Sequence, residues 1–366
     1  MLYEHPEVDV ETMAYSRKRK VLTTISYVTW KTERRFLDKE TEAMFRDVEA
    51  KLPGYEVAFV SWNRAEDKFV VASFSDKTRG KRYLYDKAAK KLEFIADISA
   101  WLPESDLADM KPIRYTSRDG LAINGYLTLP RGVEAKNLPV VVNPHGGPWA
   151  RDVWRFNPEV QFLANRGYAV LQMNFRGSTG YGRKFWEASF KQWGRKMQDD
   201  VTDGVQWLIR EGIADPKHVA IYGGSYGGYT TLAGVAYTPD LYAAAVDYVG
   251  VANLLTFMKS IPPYWKPYLE MFYEMVGNPE TETEMLKAAS PVFSAERIKT
   301  PLLIAQGAKD PRVAKNESDQ MVEAMRKRGV EVEYLVKDNE GHGFRNEENR
   351  FEFYEAMEKF LRRHLR

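Results

Sequence analysis

The sequence lacks cysteine, a large excess of charge of either sign and long apolar runs, and each of these absences excludes a class of protein. It has no cysteine, which excludes disulfide bonds, thiol catalysis and cysteine-ligated metal sites; a cytoplasmic protein is the simplest interpretation. Basic and acidic residues nearly balance, and the formal net charge of +2 argues against a nucleic-acid-binding protein. No apolar run approaches the ~18 residues of a membrane span. The first residues lack a charged segment followed by an apolar one, so we expect no signal peptide and no membrane partner.

The 366 residues are enough for two domains, and the pattern of apolar residues changes near residue 110. Residues 10–100 predict an all-β region of two units that can be overlaid, with Asp38 at the position of Asp86. Each unit is predicted to hold about four short strands, the size of a propeller blade. The alternative is two unrelated β-meanders. We therefore divide the chain into an all-β region, residues 1–110, and a second domain, residues 111–366.

The second domain alternates predicted strands with predicted helices. A hairpin around Arg118-Asp-Gly120 comes first. Near-continuous apolar strands such as Val219–Tyr222 then alternate with amphipathic helices such as Phe351–His364. This pattern is typical of a mostly parallel sheet covered by helices on both faces, so the predicted fold class is α/β.

One stretch, Gly223-Gly-Ser-Tyr-Gly227, has the G-x-S-x-G pattern of a nucleophile elbow. An apolar strand precedes it and a helix of small apolar residues follows it. The flanking glycines let the strand and helix backbones approach closely around a strained serine. The alternative is a glycine-rich turn with an idle serine, but the strand-to-helix context favours Ser225 as a catalytic nucleophile.

A serine nucleophile needs a base, and the base needs an orienting acid. Of the five histidines, His342 lies in a glycine-flanked loop directly after the last predicted strand, where it can reach back over the sheet. Asp310 follows another predicted strand end and is the predicted acid. The resulting order is Ser225, Asp310, His342, which is the nucleophile–acid–base order of α/β-hydrolases. Asp338 is a rival acid, which we interpret as a turn residue.

An oxyanion hole needs two N–H groups that point at one position. Tyr226, directly after the nucleophile, is predicted to supply one of them. Gly147, in the loop His145-Gly-Gly-Pro148 after a neighbouring strand, is predicted to supply the other. His145 itself could be a second base or a metal ligand, but we favour a packing role that holds this loop.

Three other features lie near these residues in the sequence. The glycine-rich stretch 174–182 lacks the lysine and the spacing of a phosphate-binding loop. Arg312, two residues after Asp310, is either a substrate-binding cation or a solvated loop residue; we favour the former. Residues 257–276 are dense in aromatic side chains and interrupt the strand–helix alternation. They form either a cap or pocket wall or an ordinary part of the core.

Taken together, these motifs resemble the prolyl oligopeptidase family of serine peptidases, and most closely its acylaminoacyl-peptidase branch. The matching segments are His145-Gly-Gly-Pro148, residues 174–182, Trp193-Gly194, Gly223–Tyr229, Gly307–Arg312 and Glu340–Phe344. The resemblance implies an α/β-hydrolase domain with Ser225, Asp310 and His342 as the triad. It also implies Gly147 and Tyr226 as oxyanion donors and Arg312 as a contact to the acyl carbonyl of the substrate. Members related to dipeptidyl peptidases have a tyrosine where His145 stands.

We therefore expect a serine hydrolase that forms an acyl-enzyme on short or N-acylated peptides, with no cofactor and no metal. The alternative is a carboxylesterase acting on small acyl esters. A binding protein that kept the fold and lost the chemistry is a further class, against which the complete triad argues. A two-blade region would expose apolar faces and unpaired strand edges, so we expect it to pack on the hydrolase domain, on a second copy of the chain, or on both. A homo-oligomer is the favoured state.

Overall fold

The computed structural model describes residues 2–365, and its strands form three sheets within that range. The first two sheets belong to the N-terminal part and are antiparallel. The first sheet contains β1 (Val10–Ser16), β2 (Val21–Val28) and β3 (Thr32–Phe36), and helix α1 (Lys39–Lys51) follows it. The second sheet contains β4 (Glu56–Trp62), β5 (Lys68–Ser75), β6 (Thr78–Asp86) and β7 (Lys91–Asp97).

The second unit is the predicted four-stranded meander, but the prediction of about four strands for the first unit was wrong. Helix α1 takes the place of its last strand. The carboxylate of Asp38 caps this helix by accepting the N–H of Thr41 at 2.8 Å, and acidic residues fill its first turn. Phe45 and Val48 of α1 are buried against the second sheet. Asp38 is thus a helix cap, whereas its sequence match Asp86 ends strand β6.

The outer strands of these small sheets are irregular. One extra residue interrupts the pairing of β1 (Glu11), of β4 (Val60) and of β7 (Ile95). Each of these strands lies at the edge of its sheet. The bulges bend the edges and break the regular row of backbone hydrogen-bonding groups.

The third sheet has eight strands in the order β15-β14-β13-β12-β10-β11-β9-β8. Strands β10 to β15 run parallel, and the hairpin β8–β9 joins the sheet antiparallel through β11. Its strands are β8 (Met110–Thr116), β9 (Ala122–Thr128), β10 (Leu138–Val142), β11 (Ala169–Asn174), β12 (Ala214–Gly224), β13 (Ala244–Tyr248), β14 (Leu302–Gly307) and β15 (Val332–Lys337). The helices are α2 (Pro158–Asn165), α3 (Arg183–Glu187), α4 (Lys196–Arg210), α5 (Tyr226–Tyr237), α6 (Leu254–Lys259), α7 (Leu269–Met275), α8 (Thr283–Ala288), α9 (Lys315–Arg326) and α10 (Glu347–His364). The predicted α/β fold is confirmed.

Helices cover both faces of the large sheet. Because successive residues of a strand point to opposite sides, each strand contributes side chains to the core on both faces. On β12, Val219 and Ile221 join the cluster packed by α4, α5 and α9, whereas Ala220 and Tyr222 join the cluster packed by α2 and α10. All four residues are almost completely buried. Shortening one of the large side chains to alanine would cost about 2–5 kcal/mol. This two-sided core fixes the carboxyl ends of the parallel strands relative to one another.

The N-terminal part contacts the large domain directly. The N–H of Phe156 donates to the carbonyl of Ser75 at 2.9 Å, and Asp76 accepts the N–H of Met110 at 2.7 Å. Trp30 packs edge-on against Trp154, with ring centroids 6.4 Å apart. These contacts agree with the expected packing of residues 10–100 on the hydrolase domain. Among the helices of residues 2–365, none combines the length and the apolar character needed to cross a bilayer.

Candidate active site

Ser225 lies in the sharp turn between β12 and α5. Its backbone has φ 59° and ψ −117°, a conformation that L-residues other than glycine rarely adopt. The neighbouring glycines are required by close contacts. A Cβ added to Gly223 would lie 2.6 Å from the Gly227 backbone, and one added to Gly227 would lie 2.3 Å from the carbonyl oxygen of Pro144. The turn therefore holds the Ser225 hydroxyl at the carboxyl end of the sheet.

Three loops bring Ser225, His342 and Asp310 into one hydrogen-bonded row. His342 Nε2 lies 2.9 Å from Ser225 Oγ, and His342 Nδ1 lies 2.8 Å from Asp310 Oδ2. The Asp310 side chain is fully buried, and the His342 side chain is 14% exposed. With Nδ1 facing the carboxylate, the proton of the neutral ring is on Nδ1 and Nε2 can accept the serine proton. The order and contacts are those of a Ser-His-Asp triad.

The carboxylate of Asp310 is held in a fixed orientation. Its Oδ1 accepts the N–H groups of Arg312 at 2.8 Å and Val313 at 3.0 Å, and its Oδ2 faces His342 and also accepts a long hydrogen bond from Gln306 Nε2 at 3.5 Å. The amide of Gln306 lies behind it and donates to the Val313 carbonyl at 3.1 Å. The rival acid Asp338 is exposed in a turn, and no hydrogen bond joins it to His342 within the described residues.

Glu340, which lies in the matching segment Glu340–Phe344 but had no predicted role, also belongs to the site. It is buried two positions before His342, and its carboxylate accepts the backbone N–H groups of Arg345 and Asn346, both at 2.9 Å. The side-chain amides of Asn346 and Asn349 donate to it at 2.8 Å and 2.7 Å. Burial alone would raise the pKa of Glu340, but these hydrogen bonds lower it to about 2. The ionised carboxylate thus ties the His342 loop to the start of α10.

The second predicted oxyanion donor lies in the loop 145–151, which we call the oxyanion loop. A Cβ on Gly146 would be 3.5 Å from Ser225 Cβ, so the loop passes beside the nucleophile. Gly147 has φ 126°, a conformation suited to glycine, and no acceptor within residues 2–365 takes its N–H. Tyr226 is the first residue of α5, so its N–H has no partner inside the helix. Neither predicted donor has an acceptor among residues 2–365, so both N–H groups are available to a substrate oxygen.

His145 anchors the oxyanion loop and lies away from the Ser225–His342–Asp310 row. Its Nε2 lies 2.9 Å from Ser178 Oγ, its Nδ1 lies 2.7 Å from the Gly146 carbonyl oxygen, and its ring stacks on Phe175 at 4.3 Å. Burial lowers the pKa of His145 to about 4, so the ring is neutral at neutral pH. Among residues 2–365, no three acidic or histidine side chains are arranged to hold a metal ion.

The glycine-rich stretch 174–182 packs behind the oxyanion loop. Its arginine, Arg176, is buried and pairs with Asp119 at 2.8 Å and with Asp200 at 2.7 Å, so its charge is already neutralised. The N–H of Thr179 donates to the carbonyl of Ala150 at 2.9 Å. The stretch therefore supports the oxyanion loop and offers no free cation to a phosphate.

The aromatic stretch 257–276 forms a wall between the oxyanion loop and the Asp310 loop. Phe272 of α7 packs against Trp149 with ring centroids 5.9 Å apart, and Trp265 stacks on Phe272 at 5.6 Å. The exposed guanidinium of Arg312 lies 6.0 Å from the Trp265 ring. An apolar surface with a cation at its end therefore lies between the two loops that flank Ser225.

Asp247 is a buried acid at the end of β13, beside the elbow. No side chain among residues 2–365 donates a hydrogen bond to its carboxyl oxygens; the backbone N–H of Gly250 faces them, and a Cβ added to Gly228 would lie 2.3 Å from Oδ1. Burial raises the pKa of Asp247 to about 7. In the sequence, Asp247 lies in a predicted apolar strand, residues 243–249, and had no predicted role.

A mostly parallel sheet with a serine elbow, and with an aspartate and a histidine after its last two strands, has the α/β-hydrolase fold. More narrowly, the chain belongs to the prolyl oligopeptidase family, whose profile matches residues 154–366. The family predicted from the motifs is thus confirmed.

Curated relatives include a dipeptidyl aminopeptidase BIII from Pseudoxanthomonas mexicana, which is 42% identical over 339 residues (90% of this chain and 49% of the relative). The human acylamino-acid-releasing enzyme is 30% identical over 234 residues, 62% of this chain and 32% of the relative. The chain thus spans about half the length of the dipeptidyl aminopeptidase and a smaller share of the human enzyme.

Solved structures agree on the fold. The acylaminoacyl peptidase of Pyrococcus horikoshii matches with a TM-score of 0.79 at 22% identity, covering 98% of this chain and 56% of the other. A puromycin hydrolase matches with a TM-score of 0.75 at 26% identity, covering 83% of this chain and 47% of the other. Because the first match covers nearly the whole chain, the N-terminal sheets share the fold of that structure, and they resemble part of a propeller.

Proposed function

We propose that the chain is a serine peptidase that cleaves short or N-acylated peptides through an acyl-enzyme. Ser225 is the nucleophile, His342 the general base and Asp310 the acid that orients it. The observation that carries the proposal is the continuous row of hydrogen bonds from Asp310 through His342 to Ser225. The strained elbow supports it, because the backbone strain at Ser225 is explained by the need to present its hydroxyl.

The reaction follows from these contacts. His342 Nε2 takes the Ser225 proton as Oγ attacks the carbonyl carbon of the substrate, and Asp310 stabilises the imidazolium that forms. The N–H groups of Gly147 and Tyr226 stabilise the negative charge on the carbonyl oxygen. The imidazolium then protonates the leaving amine as the C–N bond breaks, and water repeats the sequence to release the acyl group.

The proposed substrate has an apolar or aromatic side chain next to the scissile bond. The wall of Trp149, Phe272 and Trp265 supports this choice, because aromatic surfaces bury apolar side chains favourably. Arg312 at the end of the wall would donate hydrogen bonds to a carbonyl of the acyl part. The relatives are named as aminopeptidases and acylamino-acid-releasing enzymes. These names support amide bonds over small esters as the natural substrates.

The proposal is tested with activity-based labelling and a matched substrate set. A fluorophosphonate should label the wild-type chain at Ser225 and leave Ser225→Ala unlabelled, because only an activated serine reacts. The set contains three substrates: a dipeptide anilide whose N-terminus is free, the N-acetyl form of the same anilide, and an ester of the same acyl group. Anilide cleavage that is lost in Ser225→Ala supports a peptidase. Turnover of the ester alone would instead support the carboxylesterase alternative.

We further propose a cytoplasmic homo-oligomer without nucleic-acid or membrane partners. The absence of cysteine and the near-neutral charge balance support the compartment and the lack of a nucleic-acid partner. Exposed apolar side chains in the N-terminal part support self-association: Met13, Val60, Trp62, Phe94, Ile95 and Trp101.

A further inference from the structure

Arg151, the last residue of the oxyanion loop, connects three separate segments of the chain. Its Nη1 donates to the carbonyl of Val28 at 3.2 Å, and its Nη2 donates to the carbonyl of Thr29 at 3.1 Å. The same Nη2 donates to the Tyr181 hydroxyl at 2.8 Å, and the guanidinium lies over the Tyr181 ring at 4.2 Å. The end of β2 in the N-terminal part is thus bound to the large domain through one side chain.

The segment between Arg151 and Gly147 is short and tightly constrained. The N–H of Ala150 donates to the carbonyl of Pro148 at 2.8 Å, and the Ala150 carbonyl accepts Thr179 N–H at 2.9 Å. A Cβ on Gly147 would lie 3.2 Å from the nitrogen of Ala150. Because only three residues separate them, we expect a displacement of the backbone at Arg151 to shift the N–H of Gly147.

The residue type suits this task. A guanidinium has five N–H donors in a planar fork and keeps its charge at every physiological pH. Two backbone carbonyls of a strand end and one hydroxyl occupy this fork on different sides. Lysine could reach one of these acceptors but has no planar fork to bridge them.

We propose that Arg151 is a positioning residue that holds the oxyanion loop against the N-terminal β region, so that this region contributes to catalysis without touching the substrate. The inference rests on the proposed function, in which the N–H of Gly147 is an oxyanion donor. The carbonyls of Val28 and Thr29 are the fixed points to which the loop is clamped. The N-terminal sheets are then part of the support of the catalytic site as well as a neighbouring domain.

The test compares Arg151→Ala and Arg151→Lys in the full chain with Arg155→Ala as the matched control. Arg155 is exposed four residues later in the same connection, so its loss removes an equal charge without breaking the clamp. Removing a whole oxyanion donor costs about 10²–10³ in kcat, so we expect Arg151→Ala to lower kcat by about 10- to 100-fold. KM should change little, and Arg151→Lys should fall between the alanine variant and the wild type. Arg155→Ala should behave as the wild type.

A second readout isolates the oxyanion site. A peptide boronate forms a tetrahedral adduct with the serine, so its affinity should fall in parallel with kcat in the Arg151 variants. If Arg151→Ala does not fold, Tyr181→Phe removes one acceptor of the clamp while keeping the ring, and a decrease in kcat of a few-fold is expected. Wild-type kcat and boronate affinity in both Arg151→Lys and Tyr181→Phe would overturn the inference. An increase in KM at unchanged kcat would also overturn it, since that result indicates a substrate contact.

Failure of this inference differs from failure of the proposed function. If the wild-type chain is not labelled by a fluorophosphonate at Ser225, the proposed function fails before any Arg151 variant is measured. If Ser225 is labelled and hydrolyses peptides while the Arg151 variants match the wild type, only the clamp is wrong.

Discussion

Asn346 donates two hydrogen bonds to Glu340, one from its backbone N–H at 2.9 Å and one from its side-chain amide at 2.8 Å. These two hydrogen bonds join Asn346, the residue directly before α10, to the loop that carries His342. They show how the position of the base is set by a carboxylate that takes no part in the triad.

Glu340→Gln should weaken both activity and stability. The glutamine side chain has an NH₂ group in place of one carboxylate oxygen, and an NH₂ group cannot accept the hydrogen bonds that this oxygen accepts. Loss of these hydrogen bonds should lower the free energy of unfolding by about 1–3 kcal/mol. Because the pKa of Glu340 is lowered to about 2, its stabilising effect is present above the ordinary glutamate pKa and is lost as the pH falls towards 2. The Tm difference between wild type and variant should therefore shrink on acidification from pH ~4.5. Glu348→Gln, in the exposed first turn of α10, is the control; equal Tm values for Glu340→Gln and wild type at pH 7 would contradict the prediction.

Asp310→Asn should lower kcat by several orders of magnitude, about 10⁴-fold in the serine-protease precedent, because the amide favours the wrong tautomer of His342. Asp338→Asn should leave kcat unchanged, since Asp338 is exposed in a turn. The two variants are compared by steady-state hydrolysis of a peptide anilide. A large loss in Asp338→Asn with a small one in Asp310→Asn would transfer the acid role to Asp338.

Arg312→Ala should reduce kcat/KM for peptide anilides by about 10- to 100-fold, the loss expected for hydrogen bonds from a charged donor. A small ester without a second carbonyl should be hydrolysed almost as well as by the wild type, because it never makes the contact. Lys309→Ala removes a positive charge from the same exposed loop and is the control. Equal losses on both substrates would indicate a structural role for Arg312.

Asp247→Asn should change how stability depends on pH. The carboxyl of Asp247 stays protonated up to about pH 7 in the folded chain but ionises near pH ~4 when unfolded. Wild-type stability therefore decreases as the pH rises between these two values, and the asparagine variant does not share this decrease. The Tm of the variant relative to the wild type should rise from pH 4 to pH 7 and then level off. A difference that does not vary with pH would show that the carboxyl is ionised in the folded chain.

The proposed self-association is tested by light scattering at micromolar concentration. Phe94→Ser combined with Ile95→Thr should shift the mass towards the monomer, because both side chains are exposed on β7. Phe351→Ser removes an equally exposed aromatic ring from α10 on the large domain and should leave the mass unchanged. A monomeric wild-type chain would rule the proposal out.

The sequence was most informative where a local pattern is tied to one backbone geometry. The glycines around Ser225 and the glycine-flanked His342 after the last strand predicted loops that the structure brings within hydrogen-bond distance. The strands and long helices of the large domain were also predicted, because buried strands and amphipathic helices leave clear periodicities. The roles of the site residues stay predictions until the variants are measured.

Other features depend on contacts that are distant in sequence. Helix α1 was missed because its residues were overlaid on a strand of the second unit, although Asp38 and the acidic residues after it are a helix-start signal. Glu340 could have been singled out as an acid in the His342 loop, but its partners come from the start of α10. Two of the partners of Arg151, the carbonyls of Val28 and Thr29, lie more than a hundred positions earlier, and no local pattern identifies them.

The extra residues Glu11, Val60 and Ile95 in the outer strands of the N-terminal sheets also bear on how the chain behaves at high concentration. Fibrillar aggregates grow when a flat strand stacks in register on an identical strand of the next molecule. A bulged strand cannot continue such a stack, because the spacing of its backbone groups is broken at the extra residue. The proposed self-association through exposed apolar side chains such as Val60 and Ile95 is therefore expected to give assemblies of limited size rather than fibres.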